Sequence, residues 1–273
     1  MNKNNVYSRP DGSDINLIDL YKGKTCFLIG NGPSLSLSIE NELLFDPRIF
    51  KYTMNNSIEP MRYNTNIWSC VDRPGKFNKQ SFQNTNFLKL LPKHRIIKSD
   101  KNRKSKEDVT GYNDNGKTIL TRNCPGVVSV DTFYVEKQKQ RNFIEEYINS
   151  DKVTYGIMGG HKSVLLFTLK NVLLMGFSKV ILIGVDLTMN MDNPYYNKSR
   201  TDYKIGHLKN HVNHNNRLYG FLIESLNGIN RVLSNDKTKY NCEIYTSKRI
   251  NGVTIPEIDI NDVLREEISN LEK

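Results

Sequence analysis

The sequence predicts an α/β fold, a Rossmann-like doubly wound parallel sheet with a lid or flexible insertion. Three observations carry this. Residues 25–30, 163–176 and 179–187 are close to continuously apolar, as segments buried on every side must be. Strand-like runs alternate along the chain with helix-like ones, the order that a parallel sheet with crossover helices requires. The predicted strands run into polar, glycine-containing turns, which is where open α/β sheets place their ligands.

Residues 1–22 read as an extended lead-in with a short helix over Asp14–Tyr21. The first strand is 25–30, and Pro33-Ser34 signals a helix over 36–45. Strands at Phe50–Met54 and Asn66–Val71 close at Asn55-Asn56 and at Asp72-Arg73-Pro74-Gly75. Residues 99–124 are polar and turn-rich without periodicity. With the basic run before them they predict a mobile lid or loop over 93–124. Ser163–Met175, apolar nearly all round, predicts a helix buried against the sheet, and Val180–Leu187 a central parallel strand. Leu218, Leu222, Leu226, Ile229 and Leu233 recur at three and four, the mark of an amphipathic helix over Asn215–Leu233. Cys242–Thr246 reads as a late strand and Asp259–Leu271 as a C-terminal helix. No repeat or low-complexity linker divides the chain, so 1–273 is expected to be one domain.

Composition narrows the class. Hydrophobic residues make up only 37% of the chain, so the core must be concentrated in the segments above. No stretch reaches the roughly 18 apolar residues of a membrane span, and residues 1–20 are too polar for a signal peptide, so a cytoplasmic location is expected. Cys26, Cys70, Cys124 and Cys242 show no C-x-x-C spacing, which predicts reduced thiols. The formal charge is +10, and Lys93–Lys106 holds seven Lys and Arg with Asp100 as its one acid. Such a run is either a solvated loop or a surface that steers an anionic partner, with Lys101, Arg103, Lys104 and Lys106 as the acceptor contacts. Net charge does not separate DNA from an anionic glycan or a phospholipid surface.

The densest motif is Gly30-Asn31-Gly32-Pro33-Ser34 after the first strand. Glycines there would remove Cβ atoms where a nucleotide packs against main chain, and the helix start behind Ser34 suits phosphate. The third glycine of the dinucleotide fingerprint is absent and Pro33 breaks that pattern, which argues against an oxidoreductase. The run Gly-Asn-Gly-Pro-Ser-Leu resembles the opening motif of the bacterial lipooligosaccharide sialyltransferases and of sialyltransferase-like proteins, some of them in phages. Gly184-Val185-Asp186 is similar to that family's Gly-Ile-Asp strand end. Tyr195 and Tyr196 follow about where the family has tyrosines, and Ile205-Gly206-His207 resembles the segment of its catalytic histidine.

The resemblance implies an inverting glycosyltransferase that uses a CMP- or UDP-linked sugar as co-substrate. It implies donor contacts at Asn31 and Asn55, and their place at strand or helix ends adds Gly30, Gly32, Ser34, Asp72, Ser163 and Asp186 as donor-site candidates, although Asp72 and Gly160-His161-Lys162-Ser163 depart from the family's Asn-Pro-Gly and Arg-x-Thr-Ser-Gly. Asparagine suits this work because its amide both donates and accepts. Asn55 is equally a turn residue that tolerates positive φ, and Ser163 equally a plain N-cap. Asp72 binds hydroxyls or pairs with Arg73. Tyr195 and Tyr196 would stabilise the leaving phosphate. His207 would take the acceptor's proton. His211 and His214 share its helical face, which leaves a metal site and a solvated face as alternatives. No Asp-x-Asp pair follows an apolar strand, so metal independence is expected. Two acceptors compete, a surface glycan and hydroxymethylated phage DNA, and the cationic loop and Asn/Lys-rich composition favour the polyanion. The reading from another class is a non-catalytic nucleotide- or DNA-binding module.

Overall fold

The computed structural model describes residues 6–96, 111–112, 118–158, 162–187, 205–235 and 239–272; of 111–112, 118–119, 138, 140 and 205–217 it describes the backbone alone. Twelve strands are present in the described chain. They are β1 (Tyr7–Ser8), β2 (Thr25–Ile29), β3 (Lys51–Met54), β4 (Ile67–Ser69), β5 (Leu88–Pro92), β6 (Gly111–Tyr112), β7 (Thr118–Ile119), β8 (Val127–Val130), β9 (Thr132–Val135), β10 (Val153–Ile157), β11 (Lys179–Ile183) and β12 (Glu243–Thr246). The helices are α1 (Leu35–Ser38), α2 (Ile58–Met61), α3 (Lys79–Gln83), α4 (Phe143–Asn149), α5 (Val164–Leu174), α6 (Ile205–Leu233) and α7 (Ile260–Leu271).

The central sheet has eight strands in the order β1-β8-β5-β4-β3-β2-β11-β12. All its pairs are parallel except β1 with β8 at the edge. The chain builds outward from β2 through β3, β4, β5 and β8, then returns to lay β11 on the other side of β2. The order therefore reverses between β2 and β11, and the crevice outside their carboxyl ends is the ligand position of a Rossmann-like sheet. β9 and β10 form a separate parallel pair, and β6 and β7 an antiparallel hairpin.

Every residue of β2 is buried because alternate side chains feed different cores. Cys26 and Leu28 face the α4–α5–α6 side, while Phe27 and Ile29 join Ile181, Ile183, Val263 and Leu264 under α7. Helices thus cover both faces, as the doubly wound prediction requires. A third cluster surrounds Trp68, with Phe77 and Phe82 edge-on to its indole. Three lysines are buried in these layers. Lys170 of α5 donates to the Tyr147 and Ile148 carbonyls at 2.6 and 3.3 Å and to the Tyr240 hydroxyl at 2.7 Å. Its ammonium therefore closes the C-terminal turn of α4, where carbonyls lack partners.

Several boundaries differ from the sequence reading, each for a local reason. The helix expected at 36–45 is broken into α1 and a 3-10 turn at Glu42–Phe45, because Asn41 takes the Leu43 amide on its side chain and restarts the chain. Asp14–Tyr21 is not helical. It wraps the end of α5, with the Asp19 and Tyr21 amides donating to Leu174 and Met175 carbonyls. The strand predicted over Val180–Leu187 ends at Ile183, since Gly184 and Leu187 both take positive φ, 63° and 49°. Of the segment 93–124 expected to form a lid, the described parts are 3-10 segments at Lys93–Arg95 and Thr121–Asn123 and the paired strands β6 and β7. Lys101, Arg103, Lys104 and Lys106 lie outside the described residues.

Candidate functional site

At the reversal point two glycine turns press together. Gly30 and Gly32 donate to the Ile183 and Gly184 carbonyls, both at 2.7 Å. A Cβ on Gly30 would stand 2.5 Å from the Gly184 oxygen, and one on Gly32 would land on Asp186 Oδ2. A Cβ on Gly184 would in turn stand 2.9 Å from the Gly30 oxygen. The glycines expected to admit a nucleotide therefore admit the β11 turn first: main chain approaches main chain, and a side chain would separate the two strand ends. Asp186 completes the contact, accepting from the Ser34 amide at 3.1 Å and the Ser34 hydroxyl at 2.9 Å. Ser34 accordingly makes no side-chain cap on α1.

Asn31 and Asn55 behave differently. They follow neighbouring strands, β2 and β3, at the carboxyl edge, and the side-chain oxygen of each is buried without a hydrogen-bond partner. Asn55 also holds φ at 49° and gives its carbonyl to the Trp68 indole N–H at 2.8 Å, so it is a turn residue as well. A buried, unpaired amide oxygen costs about 1–3 kcal/mol, which a donor arriving from a ligand would recover.

Asp72, after β4, pairs with Lys76 at 3.8 Å on an exposed turn. Ser163 caps α5 by accepting from the Leu165 amide at 3.1 Å. Because α5 leads down to the start of β11, that capped end lies at the same carboxyl edge as Asn31. His207, His211 and His214 fall in the backbone of α6, but their side chains, and the whole of Tyr195 and Tyr196, lie outside the described residues.

Sequence reasoning missed Tyr219. Burial and then the Asp186 charge push its hydroxyl up to about 12, and its ring packs against the main core. Tyr219 sits at helical spacing with Leu222, Leu226 and Ile229 and reads there as one more core residue. It also missed Arg95, whose Nε donates to the Val71 carbonyl at 2.7 Å and ties the end of β5 to that of β4. A cavity of about 600 Å³ opens beside Ser34, with Asn41, Ser247, Lys248 and Asn261 among its walls. Among the described residues no three His, Cys, Asp or Glu side chains converge to hold a metal ion, and no helix is long and apolar enough to cross a membrane.

The strand order and the helices on both faces define a Rossmann-like α/β protein whose sheet order reverses between β2 and β11. No family model matches the chain, and no curated protein does. A solved structure of a mammalian sialyltransferase aligns over 76% of this chain and 67% of its own, with 13% identity and a TM-score of 0.35. The fold assignment rests on the strand order and not on that likeness.

Proposed function

We propose that the protein is a nucleotide-sugar-dependent glycosyltransferase that binds a pyrimidine nucleotide at the carboxyl edge of β2 and β3. The observation that carries this is the pair of unpartnered, buried amide oxygens on Asn31 and Asn55 beside the reversal point. Such oxygens accept from the exocyclic amine of a cytosine, the imide N–H of a uracil or the hydroxyls of a ribose. The fixed Gly30–Gly184 contact and the Ser34–Asp186 pair hold the two strand ends at a constant separation, so the site is built before a ligand arrives.

In this reading the sugar passes to an acceptor hydroxyl with inversion and without a divalent metal. His207 on α6 removes the acceptor's proton, and Tyr195 and Tyr196 meet the departing phosphate. The acceptor is a polyanion, with hydroxymethylated DNA before surface glycan, on the strength of the basic run over Lys93–Lys106 and the Asn/Lys-rich composition. The test is calorimetric titration with CMP, UDP, GDP and their sugars, followed by assay of slow donor hydrolysis. Pyrimidine nucleotides should bind and their sugars should be hydrolysed. Binding without hydrolysis of any donor would identify a nucleotide-binding module instead, and binding of none would remove the nucleotide reading.

A further inference from the structure

The β2–β3 ladder ends with Ile29 opposite Thr53, so Asn31 and Asn55 stand at equivalent places, each two residues past the last pair. Ser57, in the turn that follows Met54, fastens that end. Its hydroxyl accepts from the Met54 amide at 2.9 Å and lies 2.7 Å from the Ile29 carbonyl and 2.8 Å from that of Met54. A hydroxyl has one hydrogen to give, and the shorter contact is the one that crosses to β2. Ile29 leads directly into Gly30-Asn31, and Met54 into Asn55. One fully buried side chain therefore joins the two segments that carry the unpaired amide oxygens. Trp68 of β4 holds Asn55 from the neighbouring strand, its indole N–H donating to the Asn55 carbonyl at 2.8 Å. The indole is itself fixed, edge-on to Phe77, Phe82 and Phe87.

Asn55 is held in an unfavourable state twice over. Its φ of 49° lies in the left-handed region that L residues avoid, although asparagine bears it better than most. Its side-chain oxygen is buried and accepts from nothing, as is true of Asn31. Such features persist only where the surroundings over-determine them, and they gather at ligand sites. Here the surroundings are the Ser57 hydroxyl and the Trp68 indole, and neither side chain is exposed. A side chain that never meets solvent does not touch a ligand, so whatever these two do for binding they do through the asparagines.

We propose that Ser57 and Trp68 are positioning residues for the nucleotide site at the carboxyl edge of β2 and β3. Ser57 sets the separation of Asn31 and Asn55 by tying Ile29 to Met54, and Trp68 sets the direction of Asn55 through its carbonyl. The inference rests on the nucleotide reading above and adds to it the parts that make the two oxygens one site. A ligand that meets both oxygens gains from a fixed spacing, because no ordering of the strand ends has to accompany binding. A ligand that meets only one gains nothing from the spacing. That difference separates positioning from plain structural support.

The experiment is a double-mutant cycle on affinity, read by calorimetric titration with CMP and UDP. Ser57→Ala and Trp68→Phe are each made in the wild type and in Asn55→Gly, and urea midpoints are taken on the same samples. In the wild type each should weaken nucleotide binding by about fivefold, the loss of one hydrogen-bonded contact. In Asn55→Gly, which has no amide left to position, each should weaken it by less than about twofold. Their effect on the urea midpoint should be the same in both backgrounds, because the bonds they remove are present in each. Trp68→Phe keeps an aromatic ring in the cluster and serves as the second arm if Ser57→Ala fails to fold. Equal losses of affinity in the two backgrounds, or none in either, would overturn the positioning role and leave the nucleotide reading standing. A wild type that binds neither CMP nor UDP would overturn the nucleotide reading and the positioning role with it.

Discussion

Asp186 holds both polar hydrogens that Ser34 can offer, the amide at 3.1 Å and the hydroxyl at 2.9 Å on a single carboxylate oxygen. The residues are 152 positions apart in the chain, and their contact fastens the turn after β11 to the turn after β2. Gly32 lies between them with no room for a side chain. The carboxyl edge is therefore a jointed structure first, and the unpaired amide oxygens of Asn31 and Asn55 stand beside that joint.

Gly32→Ala should lower stability by about 1–3 kcal/mol, the range for forcing atoms into a packed site. Adding Asp186→Ala should recover only part, because the Gly184 oxygen still lies 2.8 Å from the new Cβ. Urea unfolding midpoints measure both, and an unchanged midpoint for Gly32→Ala would show that the two turns are not in contact.

Asn55→Gly should leave stability unchanged or higher, since glycine accepts the φ of 49° and the unpaired buried oxygen is gone. Nucleotide affinity should nevertheless fall by about 1 kcal/mol, roughly fivefold. Asn31→Ala should show the same division between an intact fold and weakened binding. Calorimetry and thermal melts on the same samples decide it: equal affinity with a reduced melting temperature would make these asparagines turn residues alone.

Lys170 links stability to pH. Burial, then the nearby Lys239, lowers its amine to about 7, against an ordinary value of 10.5. Between those values the unfolded chain binds the proton more tightly than the folded one, so this group makes stability rise with pH. Below about 7 both states are protonated and the contribution is flat. Stability curves of the wild type and Lys170→Met should therefore diverge from pH 7 upward, with at most about 1.4 kcal/mol per pH unit of extra slope in the wild type. Parallel curves would mean that the amine keeps its proton when buried.

His207→Ala should cut sugar transfer by about 10²–10⁴-fold and leave nucleotide affinity near wild type, because a general base serves the acceptor and not the donor. The wild-type rate should fall on acidification as the imidazole protonates, and that limb should be missing from the variant. His211→Ala and His214→Ala are the controls. A dead control beside an active His207→Ala would move the base along α6.

Treatment with EDTA should leave transfer largely intact. Activity that disappears and returns with magnesium or manganese would show that a diphosphate–metal site operates, and Asp72 and Asp186 would be the first ligands to replace.

The strand β2, the buried helix α5, the strand β11 and the amphipathic stretch of α6 were all legible in the sequence, because continuous apolar runs and a three–four spacing are local properties. Ser163 as a helix cap and Asn31 and Asn55 at strand ends were legible for the same reason. Tertiary structure decided the rest. Strand order depends on crossovers that no local pattern encodes, and it alone puts β11 beside β2 and brings Asp186 to Ser34. The crowding at Gly30 and Gly32 comes from a turn more than 150 residues later, so a local reading assigned that space to a ligand.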